Sequence, residues 1–209
     1  MSGSGVIHQP TLLGVTEPGI AQKAHTERIQ LDATSWIDVT REWLGGADVL
    51  AFRLAETVAW RQGRRRMWDR MLDDPRLSYW ARRDDAPFDP SIASMQQSLE
   101  RIYGHRLCRP GFNYYRDGRD SVAWHSDWEL RDLDDTLVAI VTLGTCRPFL
   151  VRPTGGGASI DIRPGSGDLL VMGGAAQRDW QHAVPKTSQP GPRISISWRC
   201  TMGRCRHNV

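Results

Sequence analysis

Leu137-Val138-Ala139-Ile140-Val141-Thr142-Leu143 is a near-continuous apolar run, the pattern of a strand buried on both faces. Downstream, Phe149 to Arg152, Ser159 to Ile162, Asp168 to Met172 and Ile194 to Trp198 read as further short strands. Turn signals at Pro153-Thr154-Gly155-Gly156-Gly157 and Pro164-Gly165-Ser166-Gly167 separate them. Upstream of Pro110 the period changes. Thr40 is a candidate cap, and Val49, Phe52 and Leu54 predict an amphipathic helix running to about Thr57. Pro87 and Pro90 open a second helix with Ser91 as its cap, and Ile92, Met95, Leu99 and Ile102 mark its buried face. Helices first and short strands after predict an α+β chain whose body is a β-sandwich or jelly roll.

Bulk properties narrow the class. The 209 residues suffice for one domain with appendages, and 40% hydrophobic with 24% charged residues is ordinary for a soluble globular protein. Net charge is +3, and Lys23 and Lys186 are the only lysines, so the basic side is almost wholly arginine. Arginine forks suit carboxylates and phosphates, but a GC-rich codon bias explains the same composition, which therefore does not define a nucleic-acid binder. Cys108, Cys146, Cys200 and Cys205 contain no CxxC pair and predict reduced thiols in a cytoplasmic chain. Residues 1–10 lack the pattern of a secretory signal. No stretch approaches the ~20 apolar residues of a membrane helix, which predicts no membrane partner. Residues 1–25 read as a loose arm and 26–209 as a single domain.

Chemistry concentrates in Asn113-Tyr114-Tyr115-Arg116-Asp117-Gly118 and Trp124-His125-Ser126-Asp127-Trp128-Glu129. Side chains two apart on a strand project to one side, so His125 and Asp127 are able to bind one metal together. His182, in Trp180-Gln181-His182-Ala183-Val184-Pro185, is the candidate third ligand. Two imidazoles and one carboxylate on one face of iron(II) leave positions for a bidentate cosubstrate and oxygen; zinc accepts the same ligands. Arg193 and Arg199, six apart on an alternating strand, share a face. Burying both calls for an acidic partner, and a dicarboxylate cosubstrate would be one. The competing reading is a solvated edge.

These elements together resemble the AlkB family of iron(II)/2-oxoglutarate-dependent dioxygenases. The likeness rests on Asn113-x-Tyr115, the Asp117-Gly118 turn, His125-x-Asp127, His182 and Arg193-x5-Arg199. Gly167 to Gly174 and Pro75-Arg76-Leu77 add to it. The match covers roughly residues 60–199. The resemblance implies a double-stranded β-helix (jelly-roll) core over about 110–200, N-terminal helices and a substrate-recognition lid over about 58–90. It implies iron held by His125, Asp127 and His182. Asn113, Tyr115 and Arg193 would bind 2-oxoglutarate, with Arg193 on its distal carboxylate, and Arg199 would orient Asp127 near the chelating end. It further implies the O2-dependent demethylation of alkylated bases of DNA or RNA, as in alkylation-damage repair, releasing succinate, CO2 and formaldehyde; a single-stranded substrate and a monomeric protein are expected.

For the substrate side, Glu129 sits where relatives carry an acidic residue that reads the damaged base; the plain alternative is an exposed loop carboxylate. The Arg61–Arg70 segment, with Trp60 or Trp68 stacking on a base, suits a single strand, or it is a solvated segment with buried tryptophans. Trp124 either lines the pocket or packs in the core. Cys200, Cys205 and His207 lack a fourth ligand and read as a tail. A hydroxylase or demethylase of proteins or small molecules and a non-catalytic nucleic-acid-binding jelly roll are the alternatives; a zinc hydrolase would leave the arginine pair without a role.

Overall fold

The computed structural model describes residues 16–200, apart from Trp68, Pro87, Gln189 and Pro190 and the side chains of 65–67 and 70. Four strands come first: β1 (Gly19–Ile20), β2 (Thr26–Gln30), β3 (Ser35–Thr40) and β4 (Leu44–Gly45). Helix α1 (Ala47–Thr57) leads into a hairpin of β5 (Arg61–Met67) and β6 (Arg70–Trp80), and helix α2 (Pro90–Tyr103) follows. The remainder is mainly strands: β7 (Gly111–Tyr115), β8 (Val122–His125), β9 (Thr136–Gly144), β10 (Leu150–Pro153) and β11 (Ile160–Asp161). After β12 (Leu169–Gly174), a short helix α3 (Ala176–Asp179) precedes β13 (Trp180–Val184) and β14 (Arg193–Arg199).

Two antiparallel sheets form the body. The larger runs β2-β3-β12-β9-β14-β7-β6-β5, and the smaller runs β11-β10-β13-β8. β9 lies centrally between β12 and β14, which is why its run carries no polar alternation: Leu137, Ala139, Val141 and Leu143 are fully buried, and Val138 and Ile140 nearly so. On β14, Ile194, Ile196 and Trp198 pack into the core, while Arg193, Ser195, Ser197 and Arg199 take the other face. The two-sheet architecture is the expected jelly roll.

Several expectations need correction. Thr40 lies in β3, and α1 begins after Gly46, which adopts φ +66° and gives no side-chain cap. The buried stripe of α1 is Ala47, Leu50 and Leu54; Phe52, two positions from both leucines, falls on the far side and is 71% exposed. Asp89, not Ser91, caps α2: its carboxylate accepts from the Ser91 N–H, with Pro90 at the first helical position. Ile102 is exposed, and Tyr103 instead reaches Asp38 and stacks on Trp36. Within the segment read as a loose arm, β1 pairs with β4, and Glu17 bonds Arg53. The basic segment is a hairpin, which its run of arginines hid because β5 lacks the apolar alternation of a strand. Cys108 is disulfide-bonded, whereas Cys146 and Cys200 are free. That contradicts the expected reduced thiols, and nothing in the cysteine spacing signalled it. Cys205 and His207 lie outside the described residues, as does Trp68. Among the described residues, no helix is long and apolar enough to cross a membrane.

Candidate metal centre and cosubstrate pocket

β8 and β13 are neighbours, and their register sets His125 directly opposite His182. The ring centroids are 4.2 Å apart. Phe149 stacks on the outer side of His182, 5.4 Å away, and burial pushes the His182 imidazole down to about 3, the nearby His125 adding to the effect. Burial also lowers His125. Both rings are therefore neutral near pH 7, the form a metal requires. The His125 Nδ1 lies 2.9 Å from the Ala123 carbonyl. A carbonyl only accepts, so Nδ1 carries the proton and Nε2 keeps its lone pair.

Asp127 follows two residues after His125 and is fixed from both ends. Arg199 Nη2 donates to its Oδ1 at 2.9 Å, and its backbone N–H donates to Gln177 Oε1 at 2.9 Å. Burial pushes the Asp127 carboxyl up, but the Arg199 guanidinium outweighs it and the net shift is downward. The other oxygen, Oδ2, is buried without a hydrogen-bond partner, and so is His182 Nδ1. Orphaned buried acceptors are rare in native proteins and need a cause. Two neutral imidazoles and an ionised carboxylate, each with an unused donor atom, fit a divalent cation. Among the described residues no three such groups already converge on a common point: the donor chemistry is in place, while the convergence is not.

The second cluster lies on the larger sheet. Tyr115 and Asn113 of β7 face Arg193 and Ser195 of β14, and Thr142 of β9 lies opposite Ser195. Arg193 is 2% exposed, and its Nη2 donates to Thr142 Oγ1 at 3.1 Å. Its guanidinium carbon lies 5.2 Å from the Tyr115 ring centroid, and its Nε has no partner. Burial holds the Arg193 guanidinium below its usual range. Asn113 Oδ1 accepts from Arg76 Nε of β6 at 2.9 Å. Asn113, Tyr115, Arg193 and Arg199 thus share one face, as the motif spacing implied.

The aromatic assignments fare differently. Strand alternation turns Trp124 to the face of β8 opposite His125, where Arg152 lies 4.0 Å over its ring. Trp60 packs on Phe112 and Tyr114, the β7 side chains opposite Asn113 and Tyr115, and donates its indole N–H to Ala55. Neither is brought to the metal ligands. Glu129 is exposed in the 3-10 turn Trp128–Leu130 that follows Asp127. A tryptophan that does reach the site is Trp80, 37% exposed, with the Arg199 guanidinium 4.7 Å above it. Gly111 makes room for it: a Cβ there would lie 2.5 Å from the indole. Gln177 had no motif to mark it in the sequence; Arg76 appeared only within Pro75-Arg76-Leu77, and Trp80 only as one of the aromatic pair that follows it.

A family model of the 2OG-Fe(II) oxygenase superfamily matches residues 56–209, so the chain belongs to that superfamily. It is 31% identical over 176 residues to alpha-ketoglutarate-dependent dioxygenase alkB homolog 3 of Rattus norvegicus, covering 73% of this chain and 59% of that protein. The human alkB homolog 3 is 29% identical over 73% of this chain and 61% of its own length. The Arabidopsis thaliana DNA oxidative demethylase ALKBH2 is 29% identical, over 52% of this chain and 43% of its own length. The chain thus spans about three-fifths of the alkB homolog 3 proteins. Among solved structures, a Pseudomonas putida prolyl-4-hydroxylase superposes with TM-score 0.56 at 16% identity, over 80% of this chain and 93% of its own. A prolyl hydroxylase from Trichoplax adhaerens gives TM-score 0.57 at 13% identity, over 78% and 83%. At such identities these two speak for the fold alone.

Proposed function

We propose that the protein is an iron(II)- and 2-oxoglutarate-dependent demethylase of N-alkylated bases in DNA or RNA. The observation that carries this reading is the Arg199–Asp127 ion pair beside the opposed His125 and His182 rings, with Asp127 Oδ2 and His182 Nδ1 left orphaned. The similarity to alkB homolog 3 and to a DNA oxidative demethylase supports the substrate class.

In this reading His125, Asp127 and His182 hold iron(II). Bound iron(II), with 2-oxoglutarate and O2, supplies the oxidising power that hydroxylates the N-methyl carbon, while 2-oxoglutarate is converted to succinate and CO2. The protein binds, aligns and shields. Arg193 pairs with the distal carboxylate, a partner its buried charge lacks among the described residues, and Tyr115 and Asn113 complete that pocket. Arg199 holds Asp127 ionised and aimed, and Gln177 fixes the backbone behind it. The hydroxymethyl group then leaves as formaldehyde, its hydroxyl proton passing to the base nitrogen. The β5–β6 hairpin, carrying Arg61 and Arg64 and exposing Met71 and Leu72, is the lid facing a single strand whose base is turned out of its stack. Glu129, two residues past Asp127, and Trp80, beside Arg199, are the side chains offered to the base.

The test is incubation with iron(II), ascorbate, O2 and 2-oxoglutarate. Single-stranded oligonucleotides carrying 1-methyladenine or 3-methylcytosine serve as substrate, followed by mass spectrometry and succinate release. Methyl loss that requires 2-oxoglutarate and vanishes in Asp127→Ala is expected. Succinate without methyl loss would replace the substrate class, and neither product from folded, iron-loaded protein would remove the enzyme reading.

A further inference from the structure

Arg147, in the loop between β9 and β10, is 1% exposed. Its Nη1 donates to the Asp117 carbonyl at 3.0 Å, and its Nη2 to the carbonyls of Asp120 at 2.7 Å and Pro185 at 2.8 Å. Its Nε is buried without a partner. All three acceptors are neutral. The nearby carboxylates are engaged elsewhere, Asp120 with Arg116 and Asp117 with Arg119. Burial outweighs the Asp120 and Asp117 carboxylates, which favour the Arg147 charge without pairing with it.

The same holds next door. The Arg147 guanidinium carbon lies 5.2 Å from the Tyr115 ring centroid, as does that of Arg193. Two buried cations thus border one ring, and no carboxylate among the described residues pairs with either. Burial lowers both guanidiniums, and Arg147 further opposes the charge on Arg193. If Arg147 served only to tie the Asp117–Asp120 turn to the end of β13, neutral donors would satisfy the same carbonyls. The charge needs another reason.

We propose that Arg147 is a second cation of the cosubstrate pocket, acting with Arg193 on the distal carboxylate of 2-oxoglutarate to set specificity for a dicarboxylate. The inference rests on the proposed pairing of Arg193 with that carboxylate. Arg147 acts through its field and by positioning Tyr115 and the adjoining turn, because its Nη groups are already bonded. The anion relieves the mutual repulsion of the two guanidiniums, so binding is stronger than one arginine would make it.

The test compares 2-oxoglutarate with 2-oxopentanoate, which keeps the chelating 2-oxo acid end and lacks the distal carboxylate. Affinities for the manganese(II)-loaded protein are measured by calorimetry for the wild type, Arg147→Lys and Arg147→Met, with circular dichroism confirming the fold. Arg147→Met is expected to weaken 2-oxoglutarate roughly tenfold or more and leave 2-oxopentanoate nearly unchanged, with Arg147→Lys in between. Equal losses for both ligands, or none for either, would overturn the proposal, since a mere structural tie does not distinguish them. Should Arg147→Met not fold, the Lys variant decides: a loss confined to 2-oxoglutarate supports the proposal, and any other pattern overturns it. A wild type that does not prefer 2-oxoglutarate would instead break the Arg193 pairing, and the inference with it.

Discussion

The two ends of β14 carry the same side chain on the same face and treat it in opposite ways. At one end Arg199 is bound to Asp127 through a 2.9 Å contact and lies over Trp80. At the other, Arg193 is 2% exposed and, among the described residues, bonds a threonine hydroxyl beside an aromatic ring. One charge is committed to a carboxylate within the fold; the other meets none among the described residues. An uncompensated buried cation is costly, because the interior solvates charge poorly. Under the proposed function, the contrast would divide the strand into an end that aims Asp127 and an end that receives an anion.

Breaking the committed end has the larger expected effect. Arg199→Met leaves the Asp127 carboxylate buried with no cation, which should cost about 2–3 kcal/mol in the stability of metal-free protein. Manganese(II) affinity should fall with it, since Asp127 loses its aim. Urea unfolding and a metal titration check both. Unchanged stability would mean that the pair contributes nothing to the fold and that Asp127 is held by Gln177 alone.

The Arg193 end should respond with the opposite sign. Arg193→Met removes a buried charge that no carboxylate among the described residues balances, so ligand-free protein should be as stable as the wild type or gain about 1 kcal/mol. The same variant should lose the upward shift in melting temperature that 2-oxoglutarate gives the wild type. A destabilisation as large as that of Arg199→Met would show the two ends to be alike and would end the distinction drawn between them.

This division was partly legible in the sequence, and the reason is physical. Period-two spacing fixes which side chains share a face, so Arg193 with Arg199 and His125 with Asp127 followed from β geometry before any coordinates. The same rule, applied strictly, would have turned Trp124 away from His125. What spacing does not carry is tertiary closure. Nothing in Ala175-Ala176-Gln177 announces that an amide will meet the Asp127 backbone 50 positions earlier. Arg147 looked like any other arginine of a chain rich in them, until three carbonyls from two separate segments enclosed it. The helix caps failed for a smaller reason: Thr40 and Ser91 were plausible local acceptors, but a strand claimed one and Asp89 stood two residues ahead of the other.

Asp32 sharpens the comparison from outside the site, as a committed charge of the opposite sign. In the turn between β2 and β3 its Oδ1 accepts from the backbone N–H groups of Thr34 and Ser35, each at 2.8 Å. Its Oδ2 accepts from the Trp180 indole, two residues ahead of His182 on β13. Burial pushes this carboxyl up, but the indole and backbone donors outweigh it and hold it at about 2, below the ordinary 3.8. The sign follows from linkage. A carboxyl depressed in the folded state binds fewer protons there than in the unfolded chain, so its stabilisation is complete above about pH 4 and disappears as pH falls through about 2. Asp32→Asn should therefore be less stable than the wild type by on the order of 1 kcal/mol at pH 6, after allowance for screening at this partly exposed turn. The gap should close as both proteins are taken toward pH 2. A gap that stayed constant across that range would assign the effect to lost hydrogen-bond geometry. Asp32 would then hold its strand as Gln177 holds Asp127, by shape and not by charge.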